Sequence, residues 1–144
     1  MQTVRDDHGK RYLLCKRSET ASLVRDPTTG NECYVQNDRL EPVDDAPPLE
    51  TAANGIDSSV RTLFRAVHDD QALGFLIELV DRGPLAVTTL LESYDYCESD
   101  LHGTIAELTV AGLLEETEVH GHRGYRATTT CEHALSRLRG DDET

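Results

Sequence analysis

Leu101-His-Gly-Thr-Ile-Ala-Glu-Leu-Thr-Val-Ala-Gly-Leu-Leu114 reads as an amphipathic helix that stops at Ala-Gly-Leu and runs into a strand. Leu101, Ile105 and Leu108 recur at i, i+4 and i+7, which makes one side of the helix apolar and leaves the other free. With its polar start the helix is expected over residues 98–112, and the free side opens with Ser99, Asp100, His102, Gly103 and Thr104. A strand follows over Leu113 to Val119, then a glycine-rich turn, His120-Gly-His-Arg-Gly124, then a second strand over Tyr125 to Thr129. Helix followed by hairpin is the pattern around which the remaining elements fall into place.

Working outward, Asp57-Ser-Ser is a good N-cap for a helix with Val60, Leu63, Phe64 and Val67 at i, i+3, i+4 and i+7. Asp69 or Asp70 caps a second helix with a broad apolar stripe (Ala72, Phe75, Leu76, Leu79, Val80), and Gly83-Pro84 ends it. Leu85-Ala-Val87 is a short extended stretch. Thr89-x-x-Glu92 has capping-box spacing for a brief third helix containing Leu90 and Leu91, and Tyr94-Asp95-Tyr96 turns the chain into the central helix. A last helix, roughly Thr130 to Arg139, carries Cys131, Ala134, Leu135 and Leu138 on one side.

Leu63-Phe-Arg-Ala-Val-His-Asp-Asp70, Gly83-Pro-Leu-Ala-Val87, Leu108-Thr-Val-Ala-Gly-Leu-Leu114 and Gly124-Tyr-Arg-Ala-Thr128, in this order and spacing, resemble the ArsR-type winged helix-turn-helix transcription regulators. The resemblance covers about 80 residues, from Ser58 to Leu138. It implies a DNA-binding regulator that is a homodimer joined through the first and last helices of the domain, a recognition helix in the DNA major groove and a wing beside the backbone. Base reading would then fall to Ser99, His102, Gly103 and Thr104, and phosphate contact to Arg123, Tyr125 and Arg126 on a wing over residues 119–126. Val60, Leu63, Phe64, Val67, Ala134, Leu135 and Leu138 offer more apolar surface than one small helical core needs. A two-fold interface would use that surplus, or the N-terminal segment would cover it.

Two departures bear on function. Where arsenic- and cadmium-sensing members carry cysteines around the third helix, this chain has Ala86 and Thr88, so the thiolate sensor site is absent. The central helix presents Glu98, Asp100, Thr104 and Glu107 with no arginine or lysine, whereas DNA readers rely on arginine-to-guanine and phosphate contacts. A second reading therefore stands beside the first: an adaptor with the same fold that does not bind DNA and whose acidic face takes a basic partner protein.

Before this domain, Thr3 to Asp6, Arg11 to Arg17, Ser22 to Asp26 and Glu32 to Gln36 read as short strands separated by turn signals, Asp26-Pro-Thr-Thr-Gly-Asn31 the clearest. They predict a small antiparallel meander over residues 1–42 with few large apolar side chains, expected to pack on the helical domain or on a second subunit, or to meet a protein partner. Glu41 to Asn54, with three prolines and four acidic residues, predicts a linker, placed at 43–56. The expected class is thus α+β: an appendage at 1–42, a linker, and a winged helix-turn-helix domain at 57–140.

Acidic residues number 27 against 14 basic ones, of which only Lys10 and Lys16 are lysines, and the formal net charge is −13. This haloarchaeal-like composition suits a very salty cytoplasm, where at ~1 M salt the Debye length is about 3 Å and self-repulsion is screened. Residues 1–43 hold seven basic and seven acidic side chains, so all of the net charge lies in residues 44–144. Neither an apolar run of membrane-spanning length nor a signal-peptide core is present, so a soluble cytoplasmic protein is expected. Cys15, Cys33, Cys97 and Cys131 form no Cys-x-x-Cys pair and read as reduced thiols. His120, His122, Cys131 and His133 have ligand chemistry without a spacing that fixes their convergence, so no metal or other cofactor is implied. Enzymatic activity is not expected: no nucleophile–base pair or phosphate loop stands in a motif context, and His68, at a helix junction before Asp69-Asp70, reads as structural.

Overall fold

The computed structural model describes residues 1–140, and two compact units divide the chain after Asp57. In the first unit, β1 (Gln2–Arg5), β2 (Arg11–Lys16), β3 (Ala21–Arg25), β4 (Glu32–Gln36) and β5 (Glu41–Pro42) form one antiparallel sheet in the order β4-β3-β2-β1-β5. The predicted meander is present, with β5 as an extra short strand. Alternation along the strands brings Val4, Leu14, Val24 and Val35 into one small apolar cluster. The cross-strand partners Thr3 and Leu13 are buried too.

The linker expected at 43–56 is instead folded onto this sheet. Pro48–Ala53 is a helix, α1, with proline in its first turn, where a missing N–H leaves no helical hydrogen bond unmade. α1 packs on β1 and β2; Thr51 is buried, and its Oγ1 lies 2.6 Å from that of Thr3. The Val43 N–H donates to the Thr3 carbonyl at 3.0 Å, and Val43 and Ala46 are buried. Proline and acid content describe this segment's exposed side; the small buried residues decide its conformation.

The second unit contains α2 (Ser58–Ala66), α3 (Asp70–Arg82), β6 (Leu85–Ala86), α4 (Val87–Ser93), α5 (Glu98–Val110), β7 (Leu114–Val119), β8 (His122–Ala127) and α6 (Thr129–Leu138). It is a winged helix-turn-helix: α4, a turn and α5, followed by the β7–β8 hairpin, to which β6 adds a third antiparallel strand in the order β6-β8-β7. The helices and the hairpin share one core, which includes Leu76, Leu79, Leu90, Leu101, Leu108, Leu113 and Leu135.

Asp69, not Asp70, caps α3: its Oδ1 accepts from the Ala72 N–H at 2.8 Å. Thr128 caps α6 in the same way, accepting from the Cys131 N–H. The capping box expected at Thr89 is not used, because α4 already starts at Val87, after an Ala86 that makes no side-chain cap bond. Pairing of Leu85 and Ala86 with Tyr125 and Gly124 delivers the chain to α4 three residues early. That pairing is close: a Cβ on Gly124 would stand 2.6 Å from the Leu85 carbonyl oxygen, so this strand position admits only glycine.

The central helix ends as its sequence suggests. Gly112 takes φ +81°, its N–H donates to the Thr109 carbonyl, and the Leu113 N–H reaches back to the Leu108 carbonyl at 3.0 Å. Those two bonds form a Schellman motif that turns the chain straight into β7.

Candidate nucleic-acid interface

α5 buries Leu101, Ile105 and Leu108 and turns its opposite flank to solvent. Glu98, Ser99, Asp100, His102 and Gly103 on its first turns are all exposed. The acidic residues there meet the positive end of the helix dipole, which accounts for their tolerance in the first turn. Nothing lies within 4 Å of where a Gly103 Cβ would sit, so another backbone could come close to the helix at this point. His102 Nε2 stands 3.7 Å from Glu98 Oε1, one turn earlier. Thr104 is only half exposed, and its Oγ1 accepts from the Tyr96 hydroxyl at 3.2 Å. Of the four residues expected to read bases, Ser99, His102 and Gly103 are thus exposed, while Thr104 is tied to the preceding turn.

Further along, the same flank changes character. Ala106 and Val110 are exposed, Val110 at 89 %. With Thr62, Arg65, Ala66 and His68 they line an open, largely apolar groove of about 620 Å³ between α2 and α5. An apolar residue outside the i, i+4, i+7 stripe was the available sequence signal for this groove.

The wing is tighter than its sequence suggests. The turn is the pair His120-Gly121, with φ +50° and +80°, so β8 starts at His122 and not at Tyr125. Two successive positive φ values match the twist of a two-residue hairpin, and His-Gly satisfies them inside a run that also contains Gly124. The three-residue advance changes the role of Tyr125. Expected to contact phosphate, it is 4 % exposed, paired with Leu85 and part of the domain core. Arg123 and Arg126 are exposed but engaged: Arg123 Nε donates to Glu116 Oε1 at 2.6 Å, and Arg126 Nε to Glu115 Oε1 at 2.7 Å. Tyr125, with Glu116, holds the Arg123 guanidinium more firmly protonated than usual. The two glutamates on β7 are partners that periodicity alone does not reveal; the acidic run Glu115-Glu116-Thr-Glu118, one strand before Arg123 and Arg126, was the sign of them.

Cys97 precedes α5 and is exposed, its Sγ 3.4 Å from the Ser99 hydroxyl. That hydroxyl and the backbone N–H groups of Asp100 and Ser99 hold the thiol below its ordinary range. Cys131 is the opposite case, wholly buried, and desolvation pushes its thiol up to about 12.

The residues expected at a dimer interface divide sharply. Leu63, Ala134 and Leu135 lie at 4 %, 0 % and 2 % exposure in the subunit's own core, where α2 packs against α6, and so do not form a contact surface. Val60 and Val67 are half-buried against the same core. Phe64 and Leu138 remain in solvent at 85 % and 57 %. A helical stripe wide enough for both purposes is cut by packing into a buried half and a free edge. Among the described residues, no three His, Cys, Asp or Glu side chains are grouped to hold a metal, and no helix is long and apolar enough to cross a membrane.

A crystal structure of an ArsR family transcriptional regulator is similar to this chain at 18 % identity and a TM-score of 0.39, over 60 % of this chain and 94 % of that one. No curated protein matches the sequence. The profile of a family of unknown function (DUF7346) matches residues 1–139, and the chain belongs to that family.

Proposed function

We propose that this chain is a DNA-binding transcription regulator that acts as a homodimer at high intracellular salt, reading DNA with α5 and steadying it with the wing at 119–126. One observation carries the reading: the flank of α5 opposite Leu101, Ile105 and Leu108 is open to solvent from Glu98 to Gly103, in a helix-turn-helix completed by a hairpin. Ser99 and His102 supply hydrogen-bond groups for base edges, and Gly103 permits close approach. Arg123 and Arg126 supply phosphate contacts once they exchange Glu116 and Glu115 for DNA oxygens. Dimerisation in this proposal uses the free edge formed by Phe64 and Leu138, with Val60 and Val67 at its margin.

Selection of bound duplexes from a random library in molar potassium chloride, followed by anisotropy on the selected site, tests the proposal. A defined sequence should emerge, and Arg123→Ala combined with His102→Ala should weaken it about tenfold or more. Unchanged affinity in the double variant rejects the site assignment.

The adaptor reading draws on a specific observation of its own: both wing arginines are already neutralised, and Glu98, Asp100 and Glu107 are all exposed on α5. Such a face suits a basic protein partner. Failure to enrich any sequence, together with saturable binding of lysine- and arginine-rich peptides lost in Glu98→Gln/Asp100→Asn, would select it.

A further inference from the structure

The second unit contains a partly enclosed cavity of about 230 Å³, separate from the α5 flank and the wing. Its volume is below the range of about 300–1,000 Å³ of sites for drug-sized ligands, so it suits a small molecule. Aromatic rings dominate its wall: Phe75 and Tyr96, packed edge to face with centroids 6.0 Å apart, and Tyr94. Asp70 and Glu78 bring carboxylates, and among the described residues no lysine or arginine lines it. Glu78 Oε1 is held in place by the Tyr94 hydroxyl, which donates to it at 2.6 Å, and Arg82 in turn donates to that hydroxyl.

Gly74 leaves one wall of this space without a side chain. Asp70, Gly74 and Glu78 follow at i, i+4 and i+8 on α3, so the helix face reads carboxylate, gap, carboxylate. Glycine is a poor helix former, and Gly74 has neither a positive φ nor a close neighbour to require it: a Cβ there would meet nothing within 4 Å. An alanine would favour the helix, and a leucine would also project into the cavity. Packing therefore does not require the missing side chain, and its absence widens the cavity.

We propose that this cavity binds a small organic ammonium ion, with the Phe75, Tyr94 and Tyr96 rings against its alkyl groups and the Asp70 and Glu78 carboxylates balancing its charge. Aromatic faces and carboxylates together favour a weakly hydrated cation over an anion or a neutral molecule, and the aromatic share of that attraction survives high salt. Binding does not depend on the regulator reading. Its consequence does: Tyr96 lines the cavity and donates its hydroxyl to Thr104 on α5 at 3.2 Å, so an occupant would bear on the placement of that helix.

Amide NMR of the full chain, titrated with tetramethylammonium chloride against sodium chloride at constant ionic strength, tests binding without DNA. Saturable shifts at Gly74, Leu90 and Tyr96 are expected, lost in Gly74→Leu and about threefold weaker in Glu78→Gln. Tert-butyl alcohol, neutral and of similar size, should give no saturable shift. Absence of saturable shifts at these residues, an equal response to the alcohol, or an unchanged response in Gly74→Leu overturns the proposal. If Gly74→Leu fails to fold, unchanged affinity in Glu78→Gln overturns it. DNA affinity with and without tetramethylammonium is then a separate measurement: absence of any specific DNA binding ends the regulator reading and leaves the binding result standing.

Discussion

Arg126 donates its Nε–H to Glu115 at 2.7 Å directly across the β7–β8 ladder, whereas Arg123 passes over its cross-strand partner Glu118 to bond Glu116 on the diagonal. Both wing cations are thereby restrained, yet both pairs are exposed to solvent and contribute little to stability. Glu115→Gln with Glu116→Gln should leave the thermal midpoint nearly unchanged and tighten binding to duplex DNA. The dependence of log affinity on log salt should steepen by up to about two. Anisotropy across a potassium chloride series measures it, and an unaltered slope would remove the wing from the proposed interface.

Phe64 and Leu63 are neighbours with opposite fates, one at 85 % exposure and the other at 4 %. Phe64→Asp should turn a dimer into a folded monomer in sedimentation equilibrium, with little loss of subunit helicity. Leu63→Ala should instead destabilise the subunit by about 2–5 kcal/mol in denaturant unfolding, since it empties a core position. A dimer that persists in Phe64→Asp refutes the proposed interface.

Gly124→Ala places a methyl group 2.6 Å from a backbone carbonyl and 2.8 Å from Val119 Cγ2. The carbonyl belongs to β6, so relief requires β6 to leave the sheet, at a cost of about 1–3 kcal/mol. Hydrogen exchange should show faster exchange across the β6–β8 pairing than in the parent, while β7–β8 amides near the turn stay protected.

Cys97 and Cys131 should separate under alkylation. The lowered thiol of Cys97 leaves more thiolate at neutral pH and is exposed, whereas Cys131 is buried and raised to about 12. Iodoacetamide at pH 7 should therefore modify Cys97 first and Cys131 only on unfolding, read by peptide mass mapping. Equal rates in the native protein would contradict the burial of Cys131.

Much of the second unit was legible along the chain, for a physical reason that its residues make plain. The period of Leu101, Ile105 and Leu108, the Ala-Gly-Leu stop and the paired strands are local features, each satisfied within a few residues of itself. The candidate site was legible only in part. Ser99, His102 and Gly103 are exposed because they lie opposite that stripe, but Tyr125 was misplaced by a three-residue error in the start of β8. In a run with glycines at 121 and 124, only the β6 pairing tells which one turns the chain and which one makes room for a neighbour.

Taken alone, the sequence determined the order of elements in the second unit, the amphipathic side of α5 and the excess of acidic residues, because periodicity, turn chemistry and charge are properties of the chain itself. Tertiary structure decided what depends on contacts between distant residues. Residues 43–56 fold onto a sheet through the buried Thr51, Leu63 and Leu135 go to the core while Phe64 stays outside, and the wing arginines meet their glutamates across a ladder. Burial and pairing are settled by which surfaces meet, and a one-dimensional pattern carries both halves of a helix stripe without saying where packing will divide it.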